Sequence, residues 1–313
     1  MRDPSSLPRL LLFASFIVLS TLVATTGVPQ ASAQTATAHA QLVMLGTGTP
    51  AADPERFGPA TAVVVNDTAY IVDAGAGVVR RAASAARDHS IKALQASSLR
   101  MVFLTHLHSD HTVGLPDIIF SPWTLGRRVP LDAYGPSGTT EMMRHLLEAY
   151  RADVETRTNA DGNQREFPQG HSVNAHDIHA GVVYKDANVT VMAFPTKHAM
   201  ESYGYQFDMA DRRIVISGDT SPTDATVDAC HECDVLVHEV SSMAWLASRP
   251  PPFQAFAAKY HTTTVQLAEL ASRAKPRLLV LYHLQAASPD EALREIGTRY
   301  NGKVVVARDL DVY

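Results

Sequence analysis

Four residues able to ligate a metal stand within six positions in the run Thr105-His106-Leu107-His108-Ser109-Asp110-His111. The run directly follows Met101–Leu104, an apolar stretch that reads as a buried strand. Alternate residues of an extended segment share a face, so His106 and His108 can grip one ion together. Asp110 and His111 come after the chain turns and can serve a second ion. Neutral imidazole and carboxylate are good zinc ligands.

Such a strand end needs a scaffold. Apolar, β-rich runs recur at Leu42–Leu45, Ala62–Val65, Tyr70–Val72, Val189–Phe194, Arg213–Ser217, Val235–Val237, Leu278–Leu281 and Val304–Val306. Several are continuous rather than alternating, as expected of strands covered on both faces. Helical stretches lie between some of them. Val78–Ala86 is Ala-rich. Thr139–Tyr150 carries Met142, Leu146 and Ala149 on one face behind Thr139 or Thr140 as a cap, and Val265–Ala274 ends at Pro276. The polar stretch Arg151–Gln169 reads as a loop or cap over the domain. The mixture is α/β, with sheets covered by helices.

His-x-His-x-Asp-His is the signature of the metallo-β-lactamase superfamily, and the sequence resembles that superfamily across essentially all of 41–313. Leu45-Gly46-Thr47-Gly48-Thr49-Pro50 is similar to its first turn, and Val72-Asp73-Ala74-Gly75 to the next, where an Asp braces the metal loops. Pro195-Thr196-Lys197-His198, Ser217-Gly218-Asp219-Thr220 and Leu281-Tyr282-His283-Leu284 resemble the segments that bring the remaining ligands. The resemblance implies a four-layer αββα sandwich and two zinc ions, or other divalent ions. The first would be held by His106, His108 and His198, and the second by Asp110, His111 and His283. Asp219 would bridge both, together with a hydroxide. Two such ions roughly 3.5–4 Å apart lower the pKa of the shared water and clamp the substrate's oxyanion. Asp110 would also orient the hydroxide or take its proton.

A narrower resemblance is to the ribonuclease Z and arylsulfatase-like branch. It rests on Tyr134-Gly135-Pro136-Ser137-Gly138-Thr139, on Val237-His238-Glu239-Val240-Ser241 and on Tyr260-His261-Thr262-Thr263. In that branch a glutamate and a histidine pair to protonate the leaving group; here they would be Glu239 and His261. His261 precedes a helix opened by Thr262–Thr264, and helix N-termini bind anions through free N–H groups. A carboxylate partner keeps an imidazole protonated near neutral pH. A cationic acid beside an anion site suits a phosphate or sulfate ester. The sequence departs from bacterial ribonuclease Z in one respect. That family's RNA-gripping arm lies between the third metal histidine and the bridging aspartate, and only Ala199–Gly218, a hairpin pattern, stands there. Other branches fit less well. Flavodiiron proteins have an acid in place of His108, and broad-spectrum zinc β-lactamases usually have Cys in place of Asp219.

The remaining histidines have plainer readings. His39, His89, His145 and His231 read as surface residues, and His171, His176 and His179 lie near the expected cap. His238 sits behind the ligands, and Asp73 is a brace rather than a catalyst.

Residues 1–33 read as a secretory signal. Arg2 and Arg9 precede an apolar run from Leu10 to Ala24, and Ala31-Ser32-Ala33 follows as a cleavage site. The run is short for an uncleaved anchor, since a span takes about 20 residues. Residues 34–313 would then be one periplasmic or secreted hydrolase domain with no stable membrane span. Taking Arg2, Arg9 and Asp3 from the 27 basic and 32 acidic residues leaves 25 and 31. An acidic balance without a basic block argues against nucleic acid. Cys230 and Cys233 are either a disulfide or a pair of buried thiols.

The expected activity is hydrolysis of phosphodiesters or aryl sulfate esters, with a small anionic ester as partner and a homodimer also allowed. Three rivals stand beside it: a lactonase or β-lactamase-like hydrolase, a ribonuclease Z-like endoribonuclease, and a non-catalytic periplasmic binding protein. A ring amide or lactone needs no cationic acid near an anion site, and a dead binding protein should have lost ligands.

Overall fold

Along Gln41–Gly46 the side chains of Leu42 and Met44 point one way and those of Val43 and Leu45 the other, and all four are buried. A strand buried on both faces lies between two layers. The computed structural model, which describes residues 40–313, shows those layers. Strands β1 (Gln41–Gly46), β2 (Ala60–Val65), β3 (Thr68–Val72), β4 (Met101–Phe103), β5 (Leu131–Gly135) and β6 (Val173–Asp177) form one sheet in chain order. Strands β7 (Gly181–Lys185), β8 (Val189–Pro195), β9 (Tyr203–Met209), β10 (Arg213–Ile216), β11 (Val235–Ser241), β12 (Leu278–Gln285) and β13 (Val304–Val306) form the other. Residues 1–33, the expected signal, lie outside the described residues. Among the described residues no helix is long and apolar enough to cross a membrane.

Leu42, Met44, Tyr70 and Phe103 of the first sheet meet Val191, Tyr205, Phe207, Ile216 and Tyr282 of the second in the middle of the sandwich. The helices Val78–Asp88, Leu115–Thr124 and Thr139–Ala149 pack outside the first sheet, against Val43, Leu45 and Val102. The helices Asp224–Cys230, Thr264–Ala274 and Pro289–Gly297 cover the second, against Val215, Leu236 and Leu279. The order is helix, sheet, sheet, helix, as expected.

Topology decides where the chemistry can sit. Each sheet begins as an antiparallel meander and continues with parallel strands: β3 to β6 in the first, β10 to β13 in the second. In sheets of this kind ligands bind beyond the carboxyl ends of the strands. The motifs singled out from the sequence lie there: at the ends of β1, β3, β4, β5, β8 and β10, in the loop before Thr264–Ala274, and, for Glu239 and His283, near the ends of β11 and β12 themselves.

Three expectations need correction. Arg151–Thr158 is a helix, not a loop. The segment behind it lies away from the motifs. The carbonyl of Phe167 accepts from Trp123 Nε1 and that of Gly170 from Arg127, beside the starting ends of β4 and β6. It therefore does not shape the site. Neither Thr139 nor Thr140 caps its helix. Gly138, at φ 98°, takes that position, and the Thr139 hydroxyl instead donates to the carbonyl of Pro136. The expected hairpin between His198 and Asp219 is present as β9 and β10, paired from Arg213–Asp208 to Ile216–Tyr205. Cys230 and Cys233 are joined in a buried disulfide at the end of Asp224–Cys230.

Candidate metal centre

Asp73 organises the motif loop. It follows β3 in a left-handed conformation, φ 62°, and is buried. Its Oδ1 accepts from the Thr105 backbone N–H at 2.8 Å, and its Oδ2 from His111 Nδ1 at 2.8 Å. One carboxylate thus fixes both ends of Thr105–His111. Opposite, Gly218 has φ 62°, and a Cβ there would stand 2.7 Å from Thr105 Cβ. Only glycine lets the loop after β10 approach this closely.

Two groups of ligand atoms result. In the first, His106 Nε2 is 3.0 Å from His108 Nδ1, and His198 Nε2 is 3.1 Å from the same atom. The other nitrogens of the outer two rings are occupied: His106 Nδ1 donates to Thr105 Oγ1, and His198 Nδ1 donates to the carbonyl of Tyr260. These partners assign the tautomers and leave each Nε2 lone pair facing inward. In the second group, Asp110 Oδ2 lies 3.2 Å from His283 Nε2 and 3.5 Å from His111 Nε2. Asp219 Oδ1 is 3.5 Å from His111 Nε2 and 3.7 Å from His283 Nδ1. Asp219 also groups with His106 and, separately, with His198 and His261, which puts it between the two sets.

Ligands about 2.0–2.1 Å from one ion in a tetrahedron stand about 3.3–3.4 Å apart, close to these spacings. His111 Nε2, Asp219 Oδ1 and His283 Nδ1 are buried without any hydrogen-bond partner. A buried polar atom left so costs ~1–3 kcal/mol. Divalent cations would satisfy all three, so the donor set fits them. Burial depresses the pKa of His106, His108 and His198, the last to about 4, which favours the neutral form that ligates. His111 is the exception. Burial opposes its charge, but Asp73 and Asp219 override it and hold the pKa well above the ordinary value. The carboxylates call for positive charge at this point.

His283 owes its aim to a bulge. Glu239 pairs with Tyr282 and Val240 with Leu284, so His283 is left over, at φ 46°. Bulges re-aim side chains in this way beside functional sites.

Glu239 and His261 meet at the edge of the cluster. Glu239 is fully buried on β11, and its Oε1 accepts from His261 Nδ1 at 2.9 Å and from Thr220 N at 3.0 Å. His261 Nε2 is thereby turned toward His198 and Asp219. Burial works against the charged imidazole, yet Glu239 lifts its pKa to about 9. The helix end offers less than expected. Thr263 caps it in a capping box with Gln266, so part of its first turn is already satisfied. The cation beside the cluster is His261 itself.

His238 stays out of the cluster, with Nδ1 donating to the carbonyl of Glu239. His171 packs on Trp123 and His176 stacks on Tyr134, and neither joins the ligand groups. His39 lies outside the described residues. Sequence reasoning missed the cleft beside Asp110, a space of about 450 Å³ lined by Thr49, Arg56, Phe57, Ser109 and Val113 among others. Asp309 pins its loop by accepting from Thr47 N and Phe57 N. It also missed the aromatic helix Pro251–Tyr260, whose signal was the spacing of Phe253, Phe256 and Tyr260.

Comparison with known proteins bears on the family and the fold. A family model described as the beta-lactamase superfamily domain matches residues 68–284. Ribonuclease Z of Mycobacterium bovis (strain BCG / Pasteur 1173P2) is 30% identical over 279 residues, covering 86% of this chain and 96% of that protein. The metallo-beta-lactamase fold protein YhfI from Bacillus subtilis superposes with a TM-score of 0.68 at 17% identity, over 88% of this chain and 99% of that one. Human tRNase Z, short form, gives 0.63 at 23% identity, over 87% and 98%. Both structures share the fold.

Proposed function

The chain belongs to the metallo-β-lactamase superfamily of hydrolases, among relatives named ribonuclease Z, and we propose that it is an exported, dinuclear zinc hydrolase of phosphodiesters or aryl sulfate esters. The observation that carries this reading is the buried Glu239–His261 pair at 2.9 Å, set against a cluster of histidines and carboxylates. His106, His108 and His198 would hold one ion and Asp110, His111 and His283 the other, with Asp219 shared. Ions bound there would bring a water's pKa near neutrality and offset charge on the ester oxygens.

The rest is the work of the chain. Asp110 orients the attacking water and takes its proton. The water oxygen bonds to phosphorus or sulfur while the bond to the leaving oxygen breaks. The electron pair goes to that oxygen, and His261 Nε2 supplies its proton. Glu239, held by Thr220 N, keeps His261 charged and aimed.

The Ala-Ser-Ala site and the Cys230–Cys233 disulfide support export, since disulfides persist in oxidising compartments. The short β9–β10 hairpin and the acidic balance favour a small anionic ester over a folded RNA. A second reading, cleavage of unstructured RNA, is favoured by the ribonuclease Z relative, 96% of which this chain covers. The test is a hydrolysis panel on purified, zinc-loaded mature protein with aryl phosphodiesters, aryl sulfates, lactones, β-lactams and single-stranded RNA. Turnover confined to lactones or β-lactams would overturn the anionic-ester reading.

A further inference from the structure

Between β11 and His261 the chain makes two helices, Met243–Ala247 and Pro251–Tyr260. In the second, only Ala257 is buried. Phe253, Phe256 and Tyr260 follow one another at steps of three and four, so they share a face. That face does not join the core. Phe256 is 39% exposed although its ring lies 5.8 Å from the His261 ring and 5.1 Å from the Tyr260 ring. Phe253 continues the row, 6.4 Å from Phe256 and 5.7 Å from Trp245. At the other end Tyr260 is 6.0 Å from the His198 ring.

The row is fixed to the cluster. The Tyr260 carbonyl holds His198 Nδ1 at 3.1 Å, and Met243 N and Ala244 N donate to the Glu295 carboxylate at 2.8 and 3.1 Å. An exposed aromatic face is costly to keep in water. Here its Tyr260 end is tied to His198, and the row ends on the proposed proton donor.

We propose that Phe256 and Tyr260 form a leaving-group subsite that stacks an aromatic ring of the departing alcohol, which makes aryl esters the preferred substrate class. The proposal rests on His261 as the proton donor. A proton donor must reach the leaving oxygen, so whatever that oxygen carries lies against the surface beside His261. An aryl group there meets ring faces and edges, whereas a compact alkyl group meets less of them. Contacts of this kind are worth about 3- to 10-fold in affinity.

The test compares phenyl methyl phosphate with hexafluoroisopropyl methyl phosphate. Both leaving groups are acidic alcohols, and only one carries a ring. In Phe256→Ala the KM for the phenyl ester should rise about 3- to 10-fold with kcat nearly unchanged. The KM for the fluoroalkyl ester should move less than about twofold, and Phe256→Trp should restore the phenyl preference. Equal shifts for the two esters, or none, would overturn the subsite. So would a change in oligomeric state in Phe256→Ala, measured by analytical ultracentrifugation, because it would give this face to a second copy. A wild-type protein inactive on both esters would refute the diester reading, and binding would then judge the subsite alone. Phenyl phosphonate must bind more tightly than methyl phosphonate, and Phe256→Ala must abolish the difference; a preference unchanged by the mutation overturns it.

Discussion

Replacing His261 by Asn keeps a side-chain donor near Glu239 but removes a group that can deliver a proton. The structure sets what should follow. His261 Nδ1 is spent on Glu239 at 2.9 Å, so its only free nitrogen is the Nε2 turned toward Asp219 and His198. If that atom protonates the leaving oxygen, the loss should grow with the basicity of the leaving group. General acid catalysis is typically worth about 10²–10⁴-fold, or ~2.7–5.5 kcal/mol of barrier. Esters with a basic alkoxide leaving group should therefore slow by about that factor. A nitrophenyl ester, whose leaving group departs without a proton, should slow less than about tenfold. Glu239→Gln should show the same trend more weakly, because it removes the partner and leaves the acid. The assay is kcat/KM over esters graded by leaving-group pKa, with metal content measured on each variant. An equal loss at every leaving group, with metals retained, would show His261 positioning the substrate and refute the acid role.

Metal analysis of protein purified without chelators should find two ions per chain. His106→Ala should empty mainly one site, His283→Ala mainly the other, and Asp219→Ala should weaken both; a wild-type content of one that zinc cannot raise would refute the dinuclear reading. Arg127→Met should cost stability and spare metal binding. The Arg127 guanidinium donates five hydrogen bonds to the carbonyls of Leu99, Ile118, Ile119 and Gly170 near the sheet edge opposite the cluster, so its loss should cost ~3–5 kcal/mol and lower Tm by roughly 10 °C, read by calorimetry. Thiol titration of the unfolded protein should find no free cysteine until a reductant is added, and two afterwards. Intact-mass measurement on protein recovered from the native host should find a chain beginning at Gln34; a membrane-bound species beginning near Met1 would count against export.

The sandwich was legible where strands are buried on both faces. Runs such as Val63–Val65 and Leu278–Leu281 need apolar residues at every position, and that composition shows without any partner. β6 and β7 close one edge of each sheet and are half exposed, so Val173-Asn174-Ala175-His176-Asp177 carries no such signal. Arg151–Thr158 was hidden for a related reason. Its polar residues give a weak apolar face, and none of them is buried. The bulge at His283 was also out of reach. The sequence marks a strand at Leu278–Leu281, whereas the strand runs on to Gln285 and the extra residue exists only relative to the register of β11.

The motif itself was legible because its spacing has a mechanical cause. Asp73 reaches the start of the loop at Thr105 and its end at His111, and those two anchors leave room for one short turn between them. Within that turn the residues before the bend face His198, and those after it face His283. Adding or deleting one residue between the anchors would swap which side chains face inward, so the pattern of ligands and the length of the loop constrain each other. The aromatic row on Pro251–Tyr260 has no such constraint. Its rings need only lie on the face that turns toward His261, and many sequences could place them there. The residues proposed to bind the ions are therefore fixed in type and spacing, whereas those proposed to choose the substrate are fixed only in position. That is why the sequence points to hydrolysis more firmly than to any one substrate.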